Sequence, residues 1–325
     1  MLDAADIQSA LEAIMSGKCS TDQIARFLES ISERPITADA LTAAAGVMRR
    51  FSLKLPEDRP AALDTCGTGG DYSGSINVST LAAIVLASGG VPIAKHGNRS
   101  YTGVCGSADL LEGLGVRIDL SPERVMRCLD QTGFGFMFAP LFQPAMRHAA
   151  EARKRMRSKT IFNLLGPLAN PAGVTYQTVG IYDAGLIPVY LEALRNLGSV
   201  RAMVFCGQDG MDEISLSAPT TIGRLDNGAV TTEVFDPLSL GIERVVPQQL
   251  KASSREDAIK QAGDILNGNG HESCVRIVAL NAAAGFYVKA LCGSLEEGYR
   301  MARQLLSAGK ARQKLGEIIK GPAHD

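Results

Sequence analysis

The sequence lacks the cysteine pairings that would staple it or bind a metal. Its seven cysteines (Cys19, Cys66, Cys105, Cys128, Cys206, Cys274 and Cys292) are scattered, odd in number and nowhere arranged as C-x-x-C. This excludes a disulfide framework and a structural zinc site, and it predicts reduced thiols in a cytoplasmic protein. An excess of charge of one sign is also missing: 33 Lys and Arg face 34 Asp and Glu, for a net charge of -1. General binding to nucleic acid or to a membrane surface, which usually shows as basic excess, is not expected. No apolar run reaches the length of a membrane span. The opening MLDAADIQSALEAIMSGK lacks the basic start and apolar core of a signal peptide. Two familiar phosphate signatures are absent as well. G-x-x-x-x-G-K-[ST] does not occur, and G-x-G-x-x-G fails from Gly67 onward because Tyr72 stands at its third glycine.

What is present suggests two unequal domains. The chain has 325 residues, 46% of them apolar, enough for a sizeable core. Residues 1–62 read as helices only. Ile7, Leu11, Ile14 and Met15 recur at helical spacing, Ser20-Thr21-Asp22 starts a second helix, and Thr37-Ala38-Asp39 a third. Residues 63–325 read as a larger α/β domain. AALDTC (61–66), VPIAK (91–95), FGFMFAP (134–140), TVGIYD (178–183) and VRAMVF (200–205) are short apolar segments that alternate with helices. That alternation predicts a mostly parallel central sheet. Asp226-Asn227-Gly228 reads as a hairpin turn, so antiparallel strands follow the parallel part. Ser121-Pro122, Ser253 with Glu256, and Ser294 with Glu297 mark helix starts.

The stretch DTCGTGGDYSGSINVST, Asp64–Thr80, carries Gly67, Gly69, Gly70 and Gly74 among hydroxyls and carboxylates, followed by a helical run. Such a loop is either a set of tight turns or a cradle in which glycine backbone and a helix start face a phosphate. KHGN, with Lys95, His96 and Asn98, follows the next strand. It is a polar turn in isolation and a phosphate contact if it shares a sheet edge with the cradle. Ser107 opens a further helix start. Asp212 and Glu213 form a solvated turn by default; beside a cradle they become a magnesium clamp, because magnesium takes one or two carboxylates plus phosphate oxygens. On the basic helix at 144–157, Arg153 is the candidate to face a cleft and hold a carboxylate. His148 reads as a polar core residue or a pocket wall. His271 and His324 fit no pattern.

Together these segments resemble the anthranilate phosphoribosyltransferases. DTCGTGGD, NVST, KHGNR, GSADLLEGLGV, GFMFAP, TIFNLLGPLANP, DGMDEISLSAPT and LNAAAGFYV occur in that family's order. The resemblance implies a nucleoside phosphorylase/phosphoribosyltransferase-like fold. It also implies a homodimer through the helical part, and transfer of a phosphoribosyl group from phosphoribosyl pyrophosphate to the amine of anthranilate with Mg2+. The lack of tryptophan suits an enzyme of the tryptophan pathway. By motif, Gly67, Gly69, Gly70, Asp71, Asn77, Ser79, Thr80, Lys95 and Ser107 would bind phosphoribosyl pyrophosphate. His96, Asn98, Arg153 and Pro167 would border anthranilate. Ser79, Asp212 and Glu213 would ligate the metal. No protein acid or base is implied, since the amine is itself the nucleophile.

The chain departs from the family pattern at Tyr72 (usually glycine), Ser75 (threonine), Val104 (lysine), Cys105 (serine) and Cys206 (histidine). These changes leave two other readings. One is a paralogue using another aromatic amine, or a nucleoside phosphorylase. The other is a non-enzymatic member that binds nucleic acid, against which the charge balance and the Asp212-Glu213 pair weigh.

Overall fold

Three amphipathic helices open the chain: α1 (Ala4–Met15), α2 (Thr21–Ser32) and α3 (Ala38–Phe51). A computed structural model describes residues 3–32, 34–71, 74–100, 104–156 and 159–322. Local chemistry sets the helix starts. The Asp3 carboxylate accepts from Ala5 N at 3.0 Å, and Thr37 Oγ1 accepts from Ala40 N at 3.2 Å. Ser20 and Gln23 close a reciprocal box, Ser20 N donating to Gln23 Oε1 at 2.8 Å and Gln23 N to Ser20 Oγ at 3.3 Å.

The apolar stripes of these helices need a partner. They find it far along the chain, in α8 (Arg147–Met156), α9 (Ile161–Leu168) and α10 (Ile187–Asn196). Ile7, Leu28, Ala44 and Met48 share one buried cluster with Ala149, Ala152, Phe162, Leu165 and Leu191. Arg49 stitches the layer: its guanidinium donates to Leu168 O at 2.8 Å and Leu197 O at 3.3 Å, carbonyls that the ends of α9 and α10 leave without intrahelical partners. The helical layer therefore reaches beyond the 1–62 segment read from sequence.

The remaining chain builds a seven-stranded sheet. Its strands are β1 (Leu63–Gly67), β2 (Ile93–Gly97), β3 (Phe134–Phe138), β4 (Tyr176–Gly180), β5 (Arg201–Gly207), β6 (Thr220–Asp226) and β7 (Ala229–Phe235). Their spatial order is β3-β2-β1-β4-β5-β6-β7. The first five are mutually parallel, while β6 and β7 are antiparallel additions. The Asn227-Gly228 turn has φ of 48° and 89°, the positive values that a two-residue hairpin needs. α4 (Val78–Ser88) and α12 (Glu272–Val288) are apolar nearly all round and lie in the main core against the sheet.

The remaining helices are α5 (Ser107–Gly113), α6 (Pro122–Thr132), α7 (Ala139–Phe142), α11 (Arg255–Leu266), α13 (Leu295–Ser307) and α14 (Lys310–Lys320). Ser121 and Ser294 cap α6 and α13 as their sequences predict. α11 starts one residue later than expected. Ser254 is its cap, and Ser253 instead donates its N–H and hydroxyl to Asp257 Oδ2, each at 2.8 Å.

After β3 the chain leaves one edge and returns as β4 on the far side of β1. Ligands of open α/β sheets gather beyond the strand ends at such a reversal. The glycine loop leaves β1 at this point.

Candidate active site

Two bare glycines make the floor of the site. Gly67 ends β1 and Gly180 ends β4, and the two are register partners. Asp212 lies across them. A Cβ at Gly67 would come within 2.5 Å of Asp212 Oδ2, and one at Gly180 would overlap the Asp212 carbonyl oxygen. Gly69 N donates to Asp212 Oδ2 at 2.9 Å, and Thr68 N to Gly180 O at 2.9 Å. Gly69 and Gly70 have φ of 64° and 78°, so the loop turns where only glycine turns easily. Burial, and then the neighbouring Asp71, push the Asp212 carboxyl up to about 7.

Glu213 is buried beside it. Desolvation first, then Asp212 and Asp71, raise its carboxyl well above the usual range, while Lys95 and the Ser79 N–H pull it down. This changes the reading of the α4 start. Val78 N bonds Ile76 O at 2.8 Å, Thr80 N bonds Asn77 Oδ1 at 3.3 Å, and Leu81 N bonds Asn77 O at 3.2 Å. Its first N–H groups thus serve the chain's own oxygens. Thr80 has 0% exposure, so it supports the turn from below.

Lys95 is 2% exposed in the middle of β2, which runs on through His96 and Gly97. Its ammonium bonds Thr65 O and reaches Ser79 Oγ at 3.4 Å. Burial lowers its pKa, against the pull of Asp64, Cys66 and Glu213. Asp64, fully buried on β1, has its pKa raised by the same desolvation; its Oδ1 accepts from His96 N at 3.3 Å. Lys95 thus braces Ser79 and the loop from beneath the site.

The segment after KHGN folds back on itself. Ser107 Oγ accepts from Asn98 N and donates to Asn98 O, both at 3.1 Å. Asn98 Oδ1 accepts from Arg99 N at 2.8 Å. A free helix start at Ser107 is not what the structure has. Asp109 Oδ2 accepts from Gly106 N and Ser100 N, each at 3.0 Å, so an internal carboxylate already occupies that cap. Arg99 pairs with Asp109 at 2.9 Å and Glu112 at 2.8 Å. Asn77 Nδ2 donates to Cys105 O at 3.3 Å, tying this segment to the glycine loop.

The four acceptor-side residues come from β2, the turn after it, α8 and α9. Burial lowers the His96 imidazole to about 4, with a Gly166 backbone hydrogen bond pulling the other way. Its Nε2 is buried without a hydrogen-bond partner. His96 therefore meets the Gly166-Pro167 step of α9. Pro167 O accepts from Gln177 Nε2 at 2.7 Å, and Asn170 Nδ2 donates to Ala94 O at 2.8 Å, which locks the end of α9 over β2. Arg153 is half-buried, with its guanidinium 5.4 Å from the Phe162 ring centroid; Arg147, Lys154 and Arg155 are exposed. His148 packs on Gly17, a structural contact with the helical layer.

Among the departures from pattern, Tyr72 lies outside the described residues, as does His324. Val104 is exposed and Cys105 half-buried. Cys206 is buried on β5, its Sγ 3.5 Å from Gly207 O, and burial pushes its thiol up to about 11. Sequence reasoning passed over Asp64, Gly180, Asn281 and Lys159. Signals existed: an acid in a buried strand, a glycine closing TVG, an asparagine in an apolar helix, and a lysine just before TIFN.

The donor set suits a divalent ion shared with a ligand. Two adjacent carboxylates are desolvated and repel each other and Asp71, a charge that a cation relieves. Among the described residues no group of three or more His, Cys, Asp or Glu side chains could hold a metal alone. Magnesium needs no more than one or two carboxylates when phosphate oxygens and water complete its shell.

Comparison with known proteins places these features in context. The helical bundle domain of a glycosyl transferase family matches residues 1–52, and its a/b domain matches residues 59–312. The anthranilate phosphoribosyltransferase of Rubrobacter xylanophilus is 42% identical over 98% of this chain and 93% of its own. That of Persephonella marina is 38% identical over 98% and 96%. The crystal structure of the Thermus thermophilus anthranilate phosphoribosyltransferase superposes with a TM-score of 0.92 at 38% identity, covering 98% of this chain and 95% of that one. The Saccharomyces cerevisiae enzyme in complex with PRPP and Mg gives 0.88 at 26% identity, covering 98% and 93%.

Proposed function

The chain belongs to the anthranilate phosphoribosyltransferase family of glycosyl transferases, and from that footing we propose its reaction. It transfers the phosphoribosyl group of 5-phosphoribosyl 1-pyrophosphate to the amine of anthranilate. The products are N-(5-phosphoribosyl)anthranilate and pyrophosphate, a step of tryptophan biosynthesis. The carrying observation is the seating of Asp212 on the Gly67–Gly180 floor beside the glycine loop, with Glu213 buried next to it against the Ser79 N–H.

Asp212 and Glu213, with Ser79 beside them, would hold Mg2+. When bound, the ion neutralises charge that builds on the departing diphosphate. Gly67 and Gly69 set the position of Asp212, while Gly70 and Asp71 border the diphosphate. Ser79 faces the phosphates; Asn77, Thr80, Lys95 and Ser107 hold the turns that present it. The C1–O bond breaks with oxocarbenium character as the amine nitrogen closes on C1. That amine needs no side chain to deprotonate a nucleophile. His96 stays neutral, so it adds no positive charge near an electron-poor C1. Arg153 takes the anthranilate carboxylate, with Asn98 and Pro167 bordering the ring. Fixing the amine behind C1 supplies much of the rate.

The reading includes a cytoplasmic homodimer. Its support is the free state of all seven cysteines and an apolar pair, Leu53 and Leu141, 46% and 42% exposed. The two are adjacent, since Leu53 N donates to Phe142 O at 2.8 Å. Among the described residues no helix is long and apolar enough to cross a membrane.

The test is anthranilate fluorescence with phosphoribosyl pyrophosphate and Mg2+, with D212N/E213Q as control. Metal-dependent loss of signal in the wild type alone supports the reaction. Binding of phosphoribosyl pyrophosphate without loss points to another acceptor amine. Salt-dependent DNA retention without turnover supports the nucleic-acid reading.

A further inference from the structure

β7 ends the sheet with its outer edge in solvent, and Ala229–Val234 are all exposed. Val234, at 61%, is the most exposed large apolar side chain among the described residues, and Val230 is 40% exposed. An open edge is a template for another strand, and proteins blunt it with lysine, proline, a bulge or a very short strand. β7 uses none of these. It runs for seven residues, AVTTEVF, and pairs one-to-one with β6. Its single charge, Glu233, is balanced by Arg224 on β6.

The hairpin decides which groups face the open edge. Its two-residue turn closes on Asp226 and Ala229, so Ala229, Thr231, Glu233 and Phe235 turn their backbone groups to β6. Val230, Thr232 and Val234 turn theirs outward, and their side chains share one face of the sheet. Among the described residues no backbone hydrogen bond from another segment reaches these three. On β6 the same face is covered by α10, where Ile187 and Leu191 fill the space above Gly223, the register partner of Thr232. Val230, Thr232 and Val234 lie beyond that cover, in solvent.

The strand is complementary to its own copy. Antiparallel pairing about Thr232 sets Thr232 against itself, Val230 against Val234, and Thr231 against Glu233. Each acid then meets a threonine, and β-branched pairs fill the shared face. Other two-fold centres fit worse. One at Glu233 opposes the two acids, and one at Thr231 sets Val234 against Gly228 of the turn. Asp236, which the Thr232 register brings beside Gly228 of the copy, is already paired with Arg244 at 2.7 Å.

We propose that β7 is an interface at which two copies of this chain join edge to edge, antiparallel and centred on Thr232, with about six main-chain hydrogen bonds across the two-fold axis. The two sheets become one, and the exposed valines cover each other. This contact is separate from the helical-layer dimer of Leu53 and Leu141, and it does not depend on the acceptor amine.

Sedimentation of the full chain tests this. Across about 1–100 μM, where small interfaces associate, the wild-type mass should rise with concentration. T232K and T232E should each sediment at half the wild-type mass or less, because like charges meet at the two-fold centre. Mixed in equal amounts, the two should return to the wild-type mass, since opposite charges then meet there. V234K, at the most exposed position, should lower the mass in the same way. Melting temperatures of all three variants should match the wild type's, because these side chains face solvent. Wild-type mass equal to that of the variants at every concentration overturns the proposal: an unassociated chain leaves the edge to a strand of another protein, and a dimer places self-association on the helical layer alone. A mixture that stays at the variant mass overturns it too. So does loss of fold in all three variants, which would make the strand's outer face structural.

Discussion

Asn281 grips the backbone of Ile214 from both sides. Ile214 N donates to Asn281 Oδ1 at 2.9 Å, and Asn281 Nδ2 donates back to Ile214 O at 3.1 Å and to Ile277 O at 2.9 Å. Ile214 directly follows the acid pair, and Asn281 is buried in the middle of α12. The helix behind the sheet thus fixes the height of Asp212 and Glu213. Leucine at 281 would leave both Ile214 groups buried and unpaired. We expect N281L to cost about 2–4 kcal/mol in urea unfolding, and to raise the Mg2+ concentration needed for half-maximal rate.

Replacing Gly180 acts on the same pair from the opposite side. A Cβ there overlaps the Asp212 carbonyl oxygen, a backbone atom that cannot rotate away. G180A should lose activity with a stability loss of about 1–3 kcal/mol, as overpacking does. Gly263 supplies the comparison: it lies inside α11 with nothing within 4 Å of an added Cβ. G263A should gain roughly 0.5–1 kcal/mol. Thermal melts of the two variants, which should shift in opposite directions, check the pair.

His96 and Asp212 pull stability in opposite directions with pH. His96 titrates near 4 when folded against an ordinary 6.5, so its contribution is present above 6.5 and lost as pH falls toward 4. Asp212 titrates near 7 against an ordinary 3.8, so its contribution is present below 3.8 and lost as pH rises through 7. In metal-free buffer, H96N minus wild type should become more favourable on acidification below pH 6.5. D212N minus wild type should become more favourable as pH rises toward 7. Urea midpoints across this range measure both differences, each with a slope of about one proton.

Arg153 should act on the acceptor alone. R153A is expected to raise KM for anthranilate roughly 10- to 100-fold, the loss of a charged contact. KM for phosphoribosyl pyrophosphate should not move, and R153K should recover only part, since an ammonium lacks the planar fork. Steady-state kinetics varying each substrate separately read the result. An equal rise in both constants would count against the assignment.

Local signals in the sequence were enough for much of the fold. The β-then-α alternation located five parallel strands, and Asp226-Asn227-Gly228 the hairpin, because turn chemistry and apolar patterning act over a few residues. Exact strand ends were less legible. TVGIYD, read as 178–183, only overlaps the strand, which spans Tyr176–Gly180, since pairing with Leu63–Gly67 sets its limits. At the site, residue types in the glycine loop and acid pair pointed to two loops that the fold brings into contact. Hydrogen-bond commitments did not follow from type. Glu213 and Asp109 sit at helix starts that sequence logic leaves open to a ligand, because both contacts depend on how separate segments pack. Asn281 binds Ile214 from 67 positions away, and the Lys159 stem packs over Gly70 from 89 positions away, distances over which no periodicity or spacing rule reaches.

The helical layer joins α1–α3 to α8 and α9, with the first three strands made in between. On the ribosome, its first half therefore emerges well before its second. At about 5–20 residues per second, the roughly hundred residues that separate them take on the order of 5–20 seconds. For that time α1 and α3 can cover only the faces they turn to each other, and the apolar faces that α8 and α9 later bury stay open to water.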